Sequence, residues 1–416
     1  MSRPFVDRLG VIRPLRIRDF RLLWTGMTVS LIGDGIYLIA VAWQAYELSN
    51  SPTALSLVGL SQSIPLLAFI LLGGVLSDRF ERRRLMIVAD VARGVAVGTI
   101  GLISVAGHMT LPILVALVGL YGFGQAMFYP AFGAIVPELV PADLLVQANS
   151  LDQFVRPFAY GILGPALGGA AISGISVGAA FLFDAGTFVV SGICLLLMQQ
   201  RTKPRREEGA PGALREVLQG LRFVRSQPWL WATLLSAATA LLMFVGPFEV
   251  LVPFVVKFQL DGSAGDLGSI FAAGGVGSII AAVVMGQVGW PKRYVTFMYV
   301  SWFVAVLAVA GYGLMTALWQ GMLIRGVAAG LATAGTIVWG TLMHRHVPSH
   351  LLGRVTSLDW LVSLSLIPLS FSITGPIAEV IGADTTLILG GVLGAMVTIA
   401  FLFVPGVRDL ERRAEP

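Results

Sequence analysis

The chain has 416 residues, 56% of them hydrophobic and only 12% charged, with a formal net charge of +5 and one cysteine. Soluble domains run near about 25% charged, and a single water-soluble core stops growing at roughly 250 to 300 residues, so lipid is the solvent this composition calls for. The hydrophobicity excludes disorder, the unpaired Cys194 excludes a disulfide scaffold, and a first apolar stretch too long for a signal-peptide core argues against secretion.

Each membrane crossing needs about 20 mostly apolar residues, and the chain supplies twelve such stretches. Their expected limits are Leu22 to Ala45, Thr53 to Leu76, Leu85 to Ala106, Leu111 to Ala134, Ala148 to Ile172 and Gly178 to Gln199 in the first half. In the second half they are Leu230 to Val256, Asp266 to Gly289, Tyr294 to Met315, Leu318 to Leu342, Leu358 to Ile381 and Thr385 to Pro405. The fold class is therefore an all-α membrane protein of twelve transmembrane helices.

Positive loops stay cytoplasmic, and the 28 Lys and Arg are distributed almost entirely to one side. They occupy the N-terminus (Arg3, Arg8, Arg13, Arg16, Arg18, Arg21), the even-numbered loops and the C-terminus. The exceptions are Lys257 in an odd-numbered loop and Arg93, Arg156 and Arg325 inside spans. Both termini are thus expected in the cytoplasm, with the protein in a bacterial inner membrane.

The segment VPADLLVQANSLDQFV from Val140 aligns without a gap on VPSHLLGRVTSLDWLV from Val347, at the entries to helices five and eleven. Gly164-Pro165 recurs as Gly375-Pro376, and the Arg82 region as Lys292-Arg293. The chain reads as six helices duplicated in parallel, as in transporters whose halves are related by an axis along the membrane normal. The expected domains are residues 1–200, a linker 201–228 ending in an amphipathic helix at the membrane surface, and residues 229–416.

These features resemble the major facilitator superfamily over nearly the whole chain. GGVLSDRFERRRLM, from Gly73 to Met86, is similar to its motif A. Gly74, Asp78, Arg79, Arg82 and Arg83 match, with Glu81 in place of the usual glycine, and Asp90 and Arg93 border the motif. The resemblance implies a cytoplasmic gating latch in which Asp78 meets the N-terminus of helix eleven. GILGPALGG resembles motif C of antiporter branches, which implies close packing of helix five through Gly161, Gly164, Pro165, Gly168 and Gly169. FRLLW and GDGIY around helix one, the loop-four segment and FLFDAGTF in helix six look like the twelve-helix branch that includes enterobactin exporters and macrolide efflux pumps. The helix-four arginine of many drug:proton antiporters is absent, and Arg156 in helix five is the first-half basic residue instead.

A charge near the bilayer centre costs about 2.5 to 3.5 kcal/mol on insertion scales, so each one kept there needs a partner, water or a task. At 1.5 Å per residue, Asp34 lies roughly 18 Å up helix one, Asp184 about 9 Å into helix six, Arg156 about 12 Å up helix five and Arg325 about 10 Å into helix ten. Glu249 falls near the external end of helix seven. The plainer reading of Asp90 with Arg93, and of Asp152 with Arg156, is of neutralising pairs at i,i+3 and i,i+4 that fasten helix ends. Arg156 reads equally well as a fixed cation facing a cavity. Asp34, flanked by Gly33 and Gly35 with no base within a turn, is the first candidate for carrying a proton, and Asp184 the second. Met and aromatic residues such as Met127, Phe128 and Phe248 line an adaptable pocket on one reading and the core on another.

The expected function is secondary export of small amphipathic compounds by proton antiport and alternating access, with substrate bound near midplane between the halves. An uncoupled facilitator or lipid flippase is the alternative on the same scaffold; a membrane-embedded enzyme is the alternative of another class. The expected partners are a small-molecule substrate and the lipid bilayer, with no nucleic acid. No cofactor or metal is expected beyond the coupling proton, and the chain is expected to act as a monomer.

Overall fold

A computed structural model of the protein describes residues 10–199, 213–289 and 291–412. The expected linker's first part, with Arg3, Arg8 and Arg413, lies outside them. Helices carry nearly all of the described chain, and eleven are long and apolar enough to cross a membrane. In chain order they are α1 (Arg18–Leu48), α2 (Pro52–Arg79), α3 (Arg82–Val105), α4 (Leu111–Leu139), α6 (Val177–Leu197), α7 (Pro228–Gln259), α8 (Ala264–Val288), α9 (Tyr294–Tyr312), α10 (Leu318–His346), α11 (Leu351–Ile381) and α12 (Ala383–Phe401). The remaining crossing, α5, spans residues 145–174 as Leu145–Phe158, a π turn Ala159–Leu163 and Gly164–Gly174. Twelve crossings result, as the sequence predicts.

Three π turns and one break interrupt these helices where proline falls. Proline lacks an N–H and its ring strikes the carbonyl four residues back. Pro157 precedes the turn in α5, Pro247 opens the turn Pro247–Leu251 in α7, and Pro253 precedes the second turn Val255–Gln259. In α11 the chain breaks at Leu366, two residues before Pro368.

The chain forms two compact units. The first comprises Met1–Asn50, Leu60–Arg206 and Ser263–Ala272; the second comprises Ser51–Gly59, Glu207–Gly262 and Ala273–Pro416. Within the first, α1 packs on α5 and α6, and α3 packs on α4 and α6. Within the second, α7 packs on α11 and α12, and α9 packs on α10 and α12. Adding six to each helix number of the first set gives the second, so the repeat seen in sequence reappears as the same packing scheme built twice.

Small residues set the closest approaches, as in membranes generally, where helix association has no hydrophobic drive. In α5, Gly164 lies directly on Gly35 and the Ile32 carbonyl of α1, and Gly168 lies on Ile36. Gly169 meets the Ala264–Gly265 backbone at the start of α8. Pro165 stands against Gly35, and Gly161 falls inside the π turn. Valine at Gly164 would place a Cβ 2.6 Å from the Ile32 oxygen, where only backbone can give way. Gly164→Val is expected to abolish recovery of monodisperse protein on size-exclusion chromatography. Gly186→Val, which has nothing within 4 Å, is expected to behave as wild type.

In the second unit Gly246 takes the place of Gly35, its N–H donating to Ser370 Oγ at 2.8 Å. The linker helix, Ala213–Ser226, docks here. Val224 is buried among Trp229, Tyr294 and Met343, and Arg354 of α11 donates to Gln219 at 2.5 Å. The helix the sequence places on the membrane surface is therefore fastened to α7 and α11 by its apolar face.

Candidate functional site

The deep charges of the first unit converge on one cluster. From α1, Asp34 is 5% exposed. Its Oδ2 lies 3.8 Å from Arg93 Nη1 of α3, and its Oδ1 accepts from Tyr121 Oη of α4 at 2.7 Å. Arg93 is 1% exposed and is also ion-paired with Asp90 one turn back on α3. Asp90 in turn accepts from Ser191 Oγ of α6 at 2.7 Å. The guanidinium lies 4.3 Å over the Phe128 ring and 4.5 Å over that of Phe188, a sandwich that suits a planar, weakly hydrated cation. A polar string continues outward: Gln125 donates to Tyr121 Oη at 3.3 Å and Gln62 donates to Gln125 at 3.1 Å.

Asp184 completes the cluster from α6. It is 0% exposed, and its Oδ1 is approached by Thr187 Oγ1 at 3.3 Å while its Oδ2 has no hydrogen-bond partner among the described residues. Gly33 leaves the space it occupies, since a Cβ there would strike Asp184 Oδ1 and Thr187 Oγ1. Three buried carboxyls thus share one buried guanidinium.

This arrangement corrects two expectations. Asp90 and Arg93 are not a shallow pair fastening a helix end beside motif A, because α3 turns both inward on α1, α4 and α6. Asp34 does have a basic partner, supplied by α3, which a search confined to its own helix does not reach. Met127 and Phe128 belong to the core, at 4% and 5% exposed, and are not pocket lining.

The cluster is not a demand of the scaffold. The repeat offset is 211 for Gly35 onto Gly246 and Gly164-Pro165 onto Gly375-Pro376 and 207 for Val140 onto Val347; at either, the positions that answer to Asp34, Asp90, Arg93 and Asp184 carry no charge, being Val245, Ser301, Val304 and Ala395 at the first and Leu241, Phe297, Val300 and Gly391 at the second. One of these positions, Ala395, packs with Ala240 and Val306 in an apolar cluster of the second unit. The same packing therefore closes without charge, and the cost of burying ions in the first unit is not the cost of folding it.

The other expected residues fall into separate places. Arg156 and Asp152 form an i,i+4 pair at 2.8 Å, 37% and 25% exposed, with the guanidinium 5.8 Å from the Phe132 ring. In the second unit Arg325 lies 4.3 Å over Phe248 and within electrostatic range of Glu249. Glu249 is exposed although Phe248, Val250 and Leu251 around it are buried. Of motif A, Arg82 pairs with Glu138 and donates to the Ala134 carbonyl at 3.1 Å. Arg83 donates to the Met198 carbonyl at 2.5 Å. Both tie α3 to the ends of α4 and α6. Gly74, Asp78 and Arg79 lie in the last turns of α2, with side chains outside the described set. Tyr121, Gln125, Gln62, Ser191 and Glu138 were not anticipated. A tyrosine and a glutamine four residues apart in an apolar span are the one signal by which the first two could have been found.

Twelve helices in two units of repeated packing, with a buried cluster of three acids and one arginine in the first of them, define a secondary transporter of the major facilitator type. A family model described as transmembrane secretion effector matches residues 9–414, and the chain belongs to that family of the major facilitator superfamily. Macrolide efflux protein A of Streptococcus pyogenes is 24% identical over 399 residues, covering 94% of this chain and 97% of that protein. The enterobactin exporter EntS of Citrobacter koseri is 27% identical over 385 residues, covering 91% and 86%. Among solved structures, the nucleoside transporter NupG superposes with a TM-score of 0.72 at 10% identity, covering 92% of this chain and 98% of that one. A bacterial homologue of the iron transporter ferroportin, in its inward-facing state, gives 0.66 at 16%, covering 92% and 98%. The protein is thus a multi-pass membrane transporter, and its family sets aside the enzyme reading.

Proposed function

We propose that the protein exports small amphipathic compounds from the bacterial cytoplasm in exchange for protons, by alternating access, with both termini cytoplasmic. Asp34, Asp90, Asp184 and Arg93 form the proton site. The observation that carries this reading is the excess of buried carboxyls over the one guanidinium buried among the described residues, at positions whose repeat equivalents carry no charge. A proton is the smallest counter-charge that balances such a site, and one that can be exchanged during a transport cycle. The relatives named for macrolide efflux and enterobactin export support the outward direction. Exposed Glu249 near Arg325, and the Asp152–Arg156 pair, are assigned to substrate contact, because each leaves charge open to a passing molecule.

Proteoliposomes loaded with a pH-sensitive dye test the coupling. Adding a substrate found by screening an efflux-deficient host is expected to drive proton movement opposite to the substrate flux. Substrate flux without any proton movement would replace this reading by the uncoupled facilitator or flippase.

A further inference from the structure

The repeat preserves one acid of the first half but not its cation. The offset that carries Val140 onto Val347 also carries Phe132, Asp152 and Arg156 onto Trp339, Asp359 and Ser363. In the first unit these three side chains form a closed set. Arg156 Nε donates to Asp152 Oδ2 at 2.8 Å, and the guanidinium lies 5.8 Å from the Phe132 ring. The second unit keeps the carboxyl and an aromatic ring and puts a serine where the cation was.

Asp359 is left with neutral company. Its Oδ2 accepts from Trp339 Nε1 of α10 at 3.0 Å and its Oδ1 from Ser363 Oγ at 3.2 Å. A carboxylate can accept about four hydrogen bonds, and no Lys, Arg or His among the described residues pairs with this one. Asp359 and Ser363, one turn apart on α11, are both half-buried, so neither is sealed in the core. The expected span from Leu358 puts this acid at the membrane edge. In the structure α11 begins at Leu351, and at 1.5 Å per residue Asp359 stands about 12 Å along it. An acid at such depth is costly without a counter-charge and marks a ligand path.

We infer that Asp359, held in place by Trp339, binds an organic cation, an ammonium or guanidinium group joined to an apolar body. Arg156 shows in the first unit what fills such a site: the ligand brings to Asp359 the charge that a tethered guanidinium brings to Asp152. The charge-assisted bond is roughly twice as strong as a neutral one, and the ring beside it changes from phenylalanine to tryptophan, the best of the aromatic partners for a cation. A metal ion suits the site poorly, since one carboxylate supplies few ligands and no group of three His, Cys, Asp or Glu able to hold one occurs among the described residues. The inference rests on the reading of the protein as an exporter of amphipathic compounds and adds the charge of the compound.

Titration of the purified full-length protein with phenethylguanidinium chloride, read by saturation-transfer NMR, tests it against phenethylurea, a neutral molecule of the same shape, at the same ionic strength. Saturable binding of the guanidinium is expected, with the urea at least tenfold weaker. Asp359→Asn keeps an acceptor for Trp339 and removes the charge; Ser363→Arg keeps Asp359 and supplies the tethered cation of the first unit. Each is expected to weaken the guanidinium at least tenfold, with thermal unfolding no lower than wild type. Equal binding of the urea, no saturable binding to intact protein, or undiminished binding in Ser363→Arg would overturn the inference, as would Asp359→Asn that loses stability and still binds, which would make Asp359 a fastener of α10 to α11. The titration involves neither a pH gradient nor flux, so its failure leaves proton exchange standing, and a failure of proton exchange leaves the cation site standing.

Discussion

Asparagine at Asp184 is expected to abolish transport driven by a pH gradient while the protein still folds. The carboxyl is fully buried on α6, and its Oδ2 bonds to no described residue, so an amide of the same shape breaks no ion pair and forfeits only a long contact with Thr187. What disappears is the capacity to take and release a proton. In proteoliposomes with an imposed pH gradient, uphill accumulation should fall at least tenfold, to background, while passive exchange of substrate continues. Asp34→Asn should stop coupled transport as well, at a higher structural cost. It removes the charge facing Arg93 and weakens the bond from Tyr121, and a buried polar group left unsatisfied costs about 1 to 3 kcal/mol. A thermal shift should separate the two variants. Full proton-driven transport in both would move the coupling site out of this cluster.

Replacing Arg93 should have the largest effect on folding. Removing one partner of a buried ion pair leaves its counter-charge stranded and costs about 3 to 5 kcal/mol, and Arg93 serves Asp90 and Asp34 at once. Its stem also fills the space beside Gly124, where a Cβ would lie 2.6 Å from Arg93 Cγ. Arg93→Met is therefore expected to reduce membrane-inserted protein severely. Arg93→Met with Asp90→Asn should recover much of it, since the pair is then removed together, without recovering coupled transport. Arg93→Lys keeps the charge but loses the planar contact with Phe128 and Phe188, and should fall between them. Yield after mild detergent extraction, read with uphill transport, checks all three; recovery of transport by the double variant would show that the cation is only a structural fastener.

Much of the architecture is readable from residue order because the bilayer imposes it. A length of about 20 apolar residues and the sidedness of arginine are set by lipid thickness and by insertion, not by tertiary contacts. The repeat is equally plain, in the segments from Val140 and Val347. Asp34 and Asp184 stand out for the same reason, since an acid inside a span is rare enough to notice. What depends on rotation about a helix axis is not readable. Asp90 and Arg93 look like a shallow pair until α3 is seen to turn them inward. Asp152 and Asp359 occupy the same repeat position, yet one pairs with Arg156 and the other accepts from Trp339 Nε1 at 3.0 Å. The neutral members Tyr121, Gln125 and Ser191 carry no charge to betray them, and their roles follow from the neighbours that packing supplies.

The π turns have a consequence for how this chain tolerates change in length. A π turn bonds i to i+5 and is a helix holding one surplus residue. Beyond Ala159–Leu163 in α5, and beyond each of the two turns in α7, every side chain points about a quarter turn or more away from where unbroken α-helical counting would put it, given 3.6 residues per turn. These three places are where a one-residue deletion can be absorbed by tightening to α-helix, with both flanking faces kept in register. Elsewhere in the same helices a deletion rotates everything downstream, and in α5 that would swing Gly164 and Gly168 off α1. Natural length variation among relatives of this chain has, in these two helices, a small number of addresses it can use.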